Sequence, residues 1–546
     1  MALGIIQPST NEKPPGTEFL VDSEQTSQEH QYEHSNFKHA KGKETIILVP
    51  QPSDDPNDPL LWPRWKQEIA FIFIFFNCIV FAAAPGPLIA PGTVALAMEL
   101  KVPIKAVSQL SGYQLLVVGA LGPIVSVLAQ KYGKRPQFLF ASTLGVIGTG
   151  ICVAGFTQPS ASKSYDVLLA GRLVQGLGTT AYESLSVAAI GDMFFLHERG
   201  TRTALLVLTL ACLSSFVSII AGVTYENLGS KMLFTMLLPF QLFGWIGTVF
   251  FLPESQFRRG LTPAAISSSE AVREKEVKTA TEDTTTNGAS TLPKRSFVQD
   301  LRVFSGTYTS DSIFKLLYEI FVHLLNPAVI WIQLVSAVLV SFFVGTAYTI
   351  AQIFTPPPYR LTVSQNGYFF TGALVGGILG VSAGPICDFT ARTLARRNKG
   401  VYEAEFRIPV CFLAALVFGI GWFTFMWALE HPQKGREVLC SVCYGFVCFG
   451  TSVASTSGGL YILDAFKKYS TEIFILQMMI KNFLFYAFST FVNEWAAEKG
   501  PGEMCKVFGI VTLCGFTTCV PMYAFGKVNR VWVHRIWSRY LGEKEK

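Results

Sequence analysis

What most limits the folding of this chain is a set of twelve long apolar stretches, six on each side of one polar segment. Each runs for roughly 20 residues, the length of α-helix that crosses a hydrocarbon core about 30 Å thick. They lie near 67–90, 108–130, 137–156, 166–194, 203–225 and 233–252, then near 328–353, 366–388, 406–428, 437–462, 472–494 and 504–526. Gly and Pro recur inside them, as at Pro85, Gly86 and Pro87 or at Gly376, Gly377 and Gly380. Membrane helices tolerate such residues where neighbouring helices answer the freed backbone groups. Only 15% of the residues are charged, against about 25% in a soluble domain. The expected fold class is an all-α membrane protein with twelve transmembrane helices in two six-helix halves, solvated by the lipid bilayer.

Several function classes fall away. No basic stripe interleaved with aromatics suggests a nucleic-acid partner. The eleven cysteines lie mostly inside apolar runs, and Cys440 and Cys443 stand at CxxC spacing within a span and without histidines. They read as small packing residues, so no metal and no cofactor is expected. No nucleophile–base pair or phosphate loop suggests an enzyme.

Residues 1–65 are rich in Ser, Glu, Gln and Pro and lack the apolar core of a signal peptide; they are expected to form a disordered cytosolic tail. Twenty Lys and Arg flank the helix ends on the side holding both termini, leaving the central polar segment aside, and nine flank the other side. The positive-inside bias therefore puts both termini in the cytosol. The expected organisation is an N-terminal half at 66–255, a linker at 256–325, a C-terminal half at 326–527 and a cytosolic tail at 528–546. Within the linker, tracts such as "TATEDTTTNGAS" cannot bury a core. The stretch "DSIFKLLYEIFVHLL" at 311–325 has helical apolar spacing and is expected to lie as an amphipathic helix at the membrane surface.

Two halves joined by a cytosolic hinge are what an alternating-access carrier requires. The turn after span two, "SVLAQKYGKRP" at 126–136, resembles the GxLaDrxGrk loop of the major facilitator superfamily, with Lys131, Gly133, Lys134 and Arg135 at matching positions. Ser126 and Gln130 stand where that loop has Gly and Asp. The corresponding loop of the second half, "GPICDFTARTLARRNKG" at 384–400, keeps Gly384 and Asp388. Span four carries "GRLVQGLG" at 171–178, similar to the superfamily's RxxQG motif, with Arg172 and Gln175 matching.

Three charges stand in the middle of spans: Arg172, Glu183 and Lys481. An ionised group there costs about 2.5–3.5 kcal/mol, so it normally faces a cavity and a partner. Arg172 and Glu183 are eleven residues apart, which leaves them about 20° apart around the helix but about 16 Å apart along it. Each must find a partner elsewhere: another helix, or a ligand. Thr179 shares their stripe and Gln175 adjoins it. Lys481, followed by Asn482, has two readings, a pair with Glu183 across the halves or a contact to an anionic substrate group. Asn77, Tyr348, Gln352 and Tyr461 could supply cavity hydrogen bonds or ordinary interhelical ones.

The strings "DPNDPLLWPRWK" (55–66), "GDMFFLHERGTR" (191–202), "LPES" (252–255), "IFTPPPYRLT" (353–362) and "RRNKGVYEAEFRIP" (396–409) narrow the resemblance. They are similar to the fungal branch of the twelve-span drug:proton antiporters, a branch that includes polyamine and organic-cation transporters. That resemblance implies a small-molecule substrate, protons as coupling ion, a monomer and a plasma-membrane location. The leading expectation is proton-coupled export of a xenobiotic or secondary metabolite. Span five departs from it: Val217 and Ser218 stand where such exporters have Gly-Pro, which leaves uptake of a polyamine-like cation or other nutrient as the second expectation. A transporter-like nutrient sensor is the alternative from another class.

Overall fold

A computed structural model describes residues 55–195, 213–257 and 296–540 without interruption, with shorter pieces at 3–7, 16–19, 39–40, 43–47, 53, 198–199, 202–203 and 205–206. Ten of its helices are long and apolar enough to cross a membrane: Arg64–Ala83, Ile104–Tyr132, Lys134–Gly155, Ser230–Phe251, Pro327–Phe354, Val363–Arg397, Ala404–Glu430, Arg436–Ala465, Lys467–Glu498 and Pro501–Trp537. The two remaining stretches are the fourth and the fifth. Span four, Ala161–Ser184, is made more polar by Arg172, Gln175, Thr179 and Glu183, and is continued by Ser186–Met193. Span five is described over Ser214–Leu228. The polar tract 279–290 lies outside the described residues.

Most buried apolar side chains fall into two large clusters. One gathers residues from Ala70 to Leu252 and the other mainly residues from Leu316 to Trp537, with Ala90 and Val127 reaching across to the second. The linker helix is Ile313–Val322, its N-terminus capped by Ser312, whose hydroxyl accepts from the Lys315 N–H. Leu316 and Ile320 are buried against the C-terminal half while Phe314, Tyr318 and Phe321 are exposed.

Span one is not a plain helix. Its α-helical part, Arg64–Asn77, widens into a π segment at Cys78–Ala83, and the chain breaks at Pro85, Gly86 and Pro87 before a short helix at Thr93–Leu100. A π segment and a proline both leave carbonyls without their normal partners. Here the neighbours supply them: Gln241 Nε2 donates to Val80 O (2.9 Å), Thr179 Oγ1 to Phe81 O (2.7 Å) and Arg172 Nη1 to Pro85 O (2.6 Å). Span seven has its own π segment at Gln333–Ala337.

Both described ends of the chain lie at one end of the bundle, and the halves press together at the opposite, distal end. There span two runs along span eleven, and span five along span eight. Lys105 Nζ pairs with Glu494 at 3.0 Å, Asn493 Nδ2 donates to Ser108 Oγ at 2.7 Å, and the Ser364 N–H donates to Glu226 at 2.7 Å. Gly222 permits the second contact line, since a Cβ there would stand 2.8 Å from Val363 O and 2.9 Å from the Gly367 Cα.

At the termini end the chain is more ordered than its composition suggests. Thr17–Phe19 pairs antiparallel with Val401–Glu403, and Ile5 is buried beside Ala391, Ala395 and Phe406. The last helix, Cys519–Tyr540, continues well past the apolar stretch that ends near 526. Charge pairing holds these two segments together. Arg530 is buried and bridges Glu403 (2.8 Å) and Glu405 (2.6 Å), Lys527 pairs with Glu403, and the Thr17 hydroxyl donates to Glu403 (2.7 Å). Burial alone pushes the Glu403 carboxyl up, but the hydrogen bonds from Lys527, Thr17 and Arg530 outweigh it and hold it below the usual carboxylate range.

Candidate functional site

Glu183 and Lys481 meet. Lys481 Nζ lies 2.5 Å from Glu183 Oε1, and Asn482 Nδ2 donates weakly to Glu183 Oε2 at 3.4 Å. The pair joins span four of one half to span eleven of the other. Both side chains keep some exposure, 26% for Lys481 and 13% for Glu183, so the pair borders an opening rather than a sealed core. Pairing relieves the cost of two charges at this depth, and separating the halves must break it or neutralise it.

The rest of the span-four stripe faces inward on its own half. Besides Pro85 O, Arg172 Nη1 donates to Gln114 Oε1 and Gln175 Oε1, both at 3.0 Å, and the guanidinium lies over the Phe234 ring. Gln175 Nε2 donates to Thr149 Oγ1 at 2.8 Å. Arg172, Gln175 and Thr179 are all fully buried. Asn77 is spent in the same way, donating to Thr248 Oγ1 at 2.8 Å and to Gly244 O. These four side chains hold spans one, two, three, four and six together, and none reaches the Glu183–Lys481 pair. Tyr348 is buried in span seven, and its hydroxyl has no hydrogen-bond partner among the described residues.

The loop residues form two charge clamps at the termini end. Gly133 turns the chain at φ +99°, a conformation that favours glycine. The next helix then starts on Glu254, whose carboxylate accepts from the Lys134 N–H (3.0 Å) and the Arg135 N–H (3.1 Å). An acid at a helix N-terminus satisfies otherwise unpaired N–H groups and suits the helix dipole. Burial pushes the Glu254 carboxyl up, against the pull of those N–H groups. The Arg135 side chain returns the favour, donating to the last carbonyls of span six at Val249 (2.7 Å) and Leu252 and to Leu301 (3.2 Å) of the linker. Lys134 pairs with Asp192. Lys131 Nζ donates to Asp311 O at 3.0 Å, and Gln130 precedes it at the helix end. In the second half Arg407 pairs with Asp388 (2.8 Å) and with Asp464. Where the resembled loop has Asp at position 130, the acids here are Glu254 and Asp192.

Sequence reasoning missed an uncharged polar cluster in the C-terminal half. Gln477 Nε2 donates to Ser336 Oγ at 2.6 Å, and Ser336 Oγ lies 2.8 Å from Ser455 Oγ. Serines and glutamines inside spans carry no signal of their own, and only the four-residue spacing from Gln477 to Lys481 hinted at a shared face. A groove of about 670 Å³ lies elsewhere: it opens on the outer face between spans eight and ten, lined by Tyr368, Val375, Leu379, Val442 and Phe446. Among the described residues no group of three or more His, Cys, Asp and Glu is placed to hold a metal ion.

The sequence profile of the Major Facilitator Superfamily matches residues 69–483. The chain belongs to that superfamily. It is therefore a membrane transporter and not an enzyme, and its all-helical architecture is the major facilitator fold. It is 22% identical to an uncharacterized MFS-type transporter of Schizosaccharomyces pombe, over 98% of this chain and 96% of the relative. It is also 22% identical to the probable efflux pump mfs2 of Aspergillus flavus, over 76% of this chain and 92% of that one. The human organic anion transporter MFSD10 shares the fold, with a TM-score of 0.50 at 14% identity, covering 84% of this chain and all of that structure.

Proposed function

We propose that this major facilitator protein is a proton-coupled carrier of a small organic molecule, working as a monomer by alternating access, with the Glu183–Lys481 pair as its coupling element. The observation that carries this reading is the 2.5 Å ion pair between helices of opposite halves. A proton on Glu183 removes the attraction and releases Lys481, so proton binding and movement of the halves are linked. The tight distal contacts support assigning this conformation as the one open toward the termini, which the basic-residue bias puts in the cytosol. Export across the plasma membrane is the leading direction, supported by the similarity to a named probable efflux pump. Uptake is the second reading, favoured by Val217 and Ser218 in span five, where the drug exporters it resembles have Gly-Pro.

Proteoliposomes holding a pH dye, challenged with a panel of organic compounds, test the coupling. A compound that drives proton flux through the wild type should fail to do so through Glu183→Gln, while unlabelled exchange of that compound continues. A variant that keeps the wild-type pH profile removes Glu183 from the role. Cells lacking the protein should accumulate the compound if export is right and fail to take it up if uptake is right.

A further inference from the structure

Gln477 stands one helical turn before Lys481 on span eleven, so the two side chains share a face. Through Ser336 and Ser455 the Gln477 amide is linked to spans seven and ten. Ser336 belongs to the π segment Gln333–Ala337, and the same turn holds Gln333, 7% exposed, with neither amide atom bonded. An amide left unbonded in an apolar interior is costly, and protein interiors seldom keep one without a use. Ser336, Ser455 and Gln477 therefore stand together in the C-terminal half, with Gln333 in the same π segment as Ser336, and Gln477 shares its helix face with Lys481. Gln477 and Ser455 are only partly buried, as is Lys481.

The charges beside this cluster are not equivalent. Lys481 is the more exposed member of the pair, and Glu183 engages only one of its three ammonium protons. A ligand at this opening finds a cation with spare donors next to hydroxyls and amides. We propose that Gln333, Ser336, Ser455 and Gln477 form the substrate-recognition surface of the C-terminal half, and that it takes a carboxylate bearing several hydroxyl or amide groups, the carboxylate on Lys481 and the polar groups on the cluster. Neutralising Glu183 frees Lys481, so a proton on Glu183 and the carboxylate on Lys481 favour each other, which is the linkage of co-transport, and this substrate class therefore goes with the uptake reading rather than with export.

The inference rests on the coupling role given to the Glu183–Lys481 pair, but binding alone tests it. Three six-carbon polyols that differ at one end serve as probes: gluconate, gluconamide and glucamine. Full-length protein in lipid nanodiscs is heated with each at millimolar concentration, and ligand binding raises the unfolding temperature by mass action. Gluconate should stabilise the protein and the other two should not. Glu183→Gln should bind gluconate more tightly, and Lys481→Gln should lose the preference for the carboxylate. Ser336→Ala combined with Ser455→Ala should weaken gluconate about tenfold, as expected for one or two lost hydrogen bonds. Gln477→Leu, at a half-buried position, makes the same test if the double variant does not fold. Equal stabilisation by gluconamide, stronger stabilisation by glucamine, no shift with gluconate, or unchanged gluconate binding in the folded cluster variants each overturns the proposal. Failure of the proton-flux test with intact gluconate binding counts against the coupling reading alone.

Discussion

His323 shows how a single side chain ties the linker to the last helix. It ends the amphipathic helix, 1% exposed, with its ring 4.2 Å from Trp537 and 4.9 Å from Tyr469, centre to centre. Its Nδ1 has no hydrogen-bond partner among the described residues. Burial lowers its pKa from 6.5 to about 4. The folded state thus binds fewer protons than the unfolded one between those values, and stability must rise with pH there. The contribution is complete above pH 6.5 and is lost as the pH falls toward 4, up to about 3 kcal/mol at about 1.4 kcal/mol per unit. The unfolding temperature of the purified protein should drop between pH 7.5 and 5, and His323→Phe should flatten that drop. An equally steep acid loss in the variant refutes the assignment. The same residue marks what the sequence could and could not say. Its place on an amphipathic helix was readable from the spacing of apolar residues, but its burial depends on Trp537, in a segment that the sequence marks only as a cytosolic tail.

Span one makes the equivalent point for a whole element. Its glycine and prolines signalled a broken helix, but not which side chains would answer the freed carbonyls. Those are Arg172, Thr179 and Gln241, from spans four and six. Arg172 and Thr179 looked like cavity residues because a charged stripe in a span normally faces one. The need that places them arises on another helix, and no pattern within span four reveals it. Thr179→Val should therefore cost about 1–2 kcal/mol of stability, the worth of a hydrogen bond whose buried acceptor is left bare. Arg172→Leu should cost more, because Gln114 and Gln175 lose their donor as well. Both variants should keep gluconate affinity within about twofold once folded, below the 1.4 kcal/mol of a tenfold change. A variant of normal thermal stability and lost affinity would return Arg172 to the binding site.

At the scale of the whole molecule, the twelve apolar stretches and the two motif loops were enough for the superfamily, because length and hydropathy decide what crosses a bilayer. They say nothing of how the halves are tilted, since that is fixed by close contacts between helices such as Gly222 against Gly367 or Ser108 against Asn493. The distal closure yields the sharpest mechanical prediction. Asn493 and Ser108 meet at 2.7 Å across the interface, so their side chains separate whenever the distal end opens. Ser108→Cys with Asn493→Cys should cross-link on mild oxidation, stop transport, and recover on reduction, with each single variant unaffected. Gly222→Val inserts a side chain where even a Cβ meets Val363 O at 2.8 Å, and so should bias the halves apart and slow the cross-link. If the oxidised double variant carries substrate at the wild-type rate, the distal contacts are not a gate, and the two halves do not move about Glu183 and Lys481 as proposed.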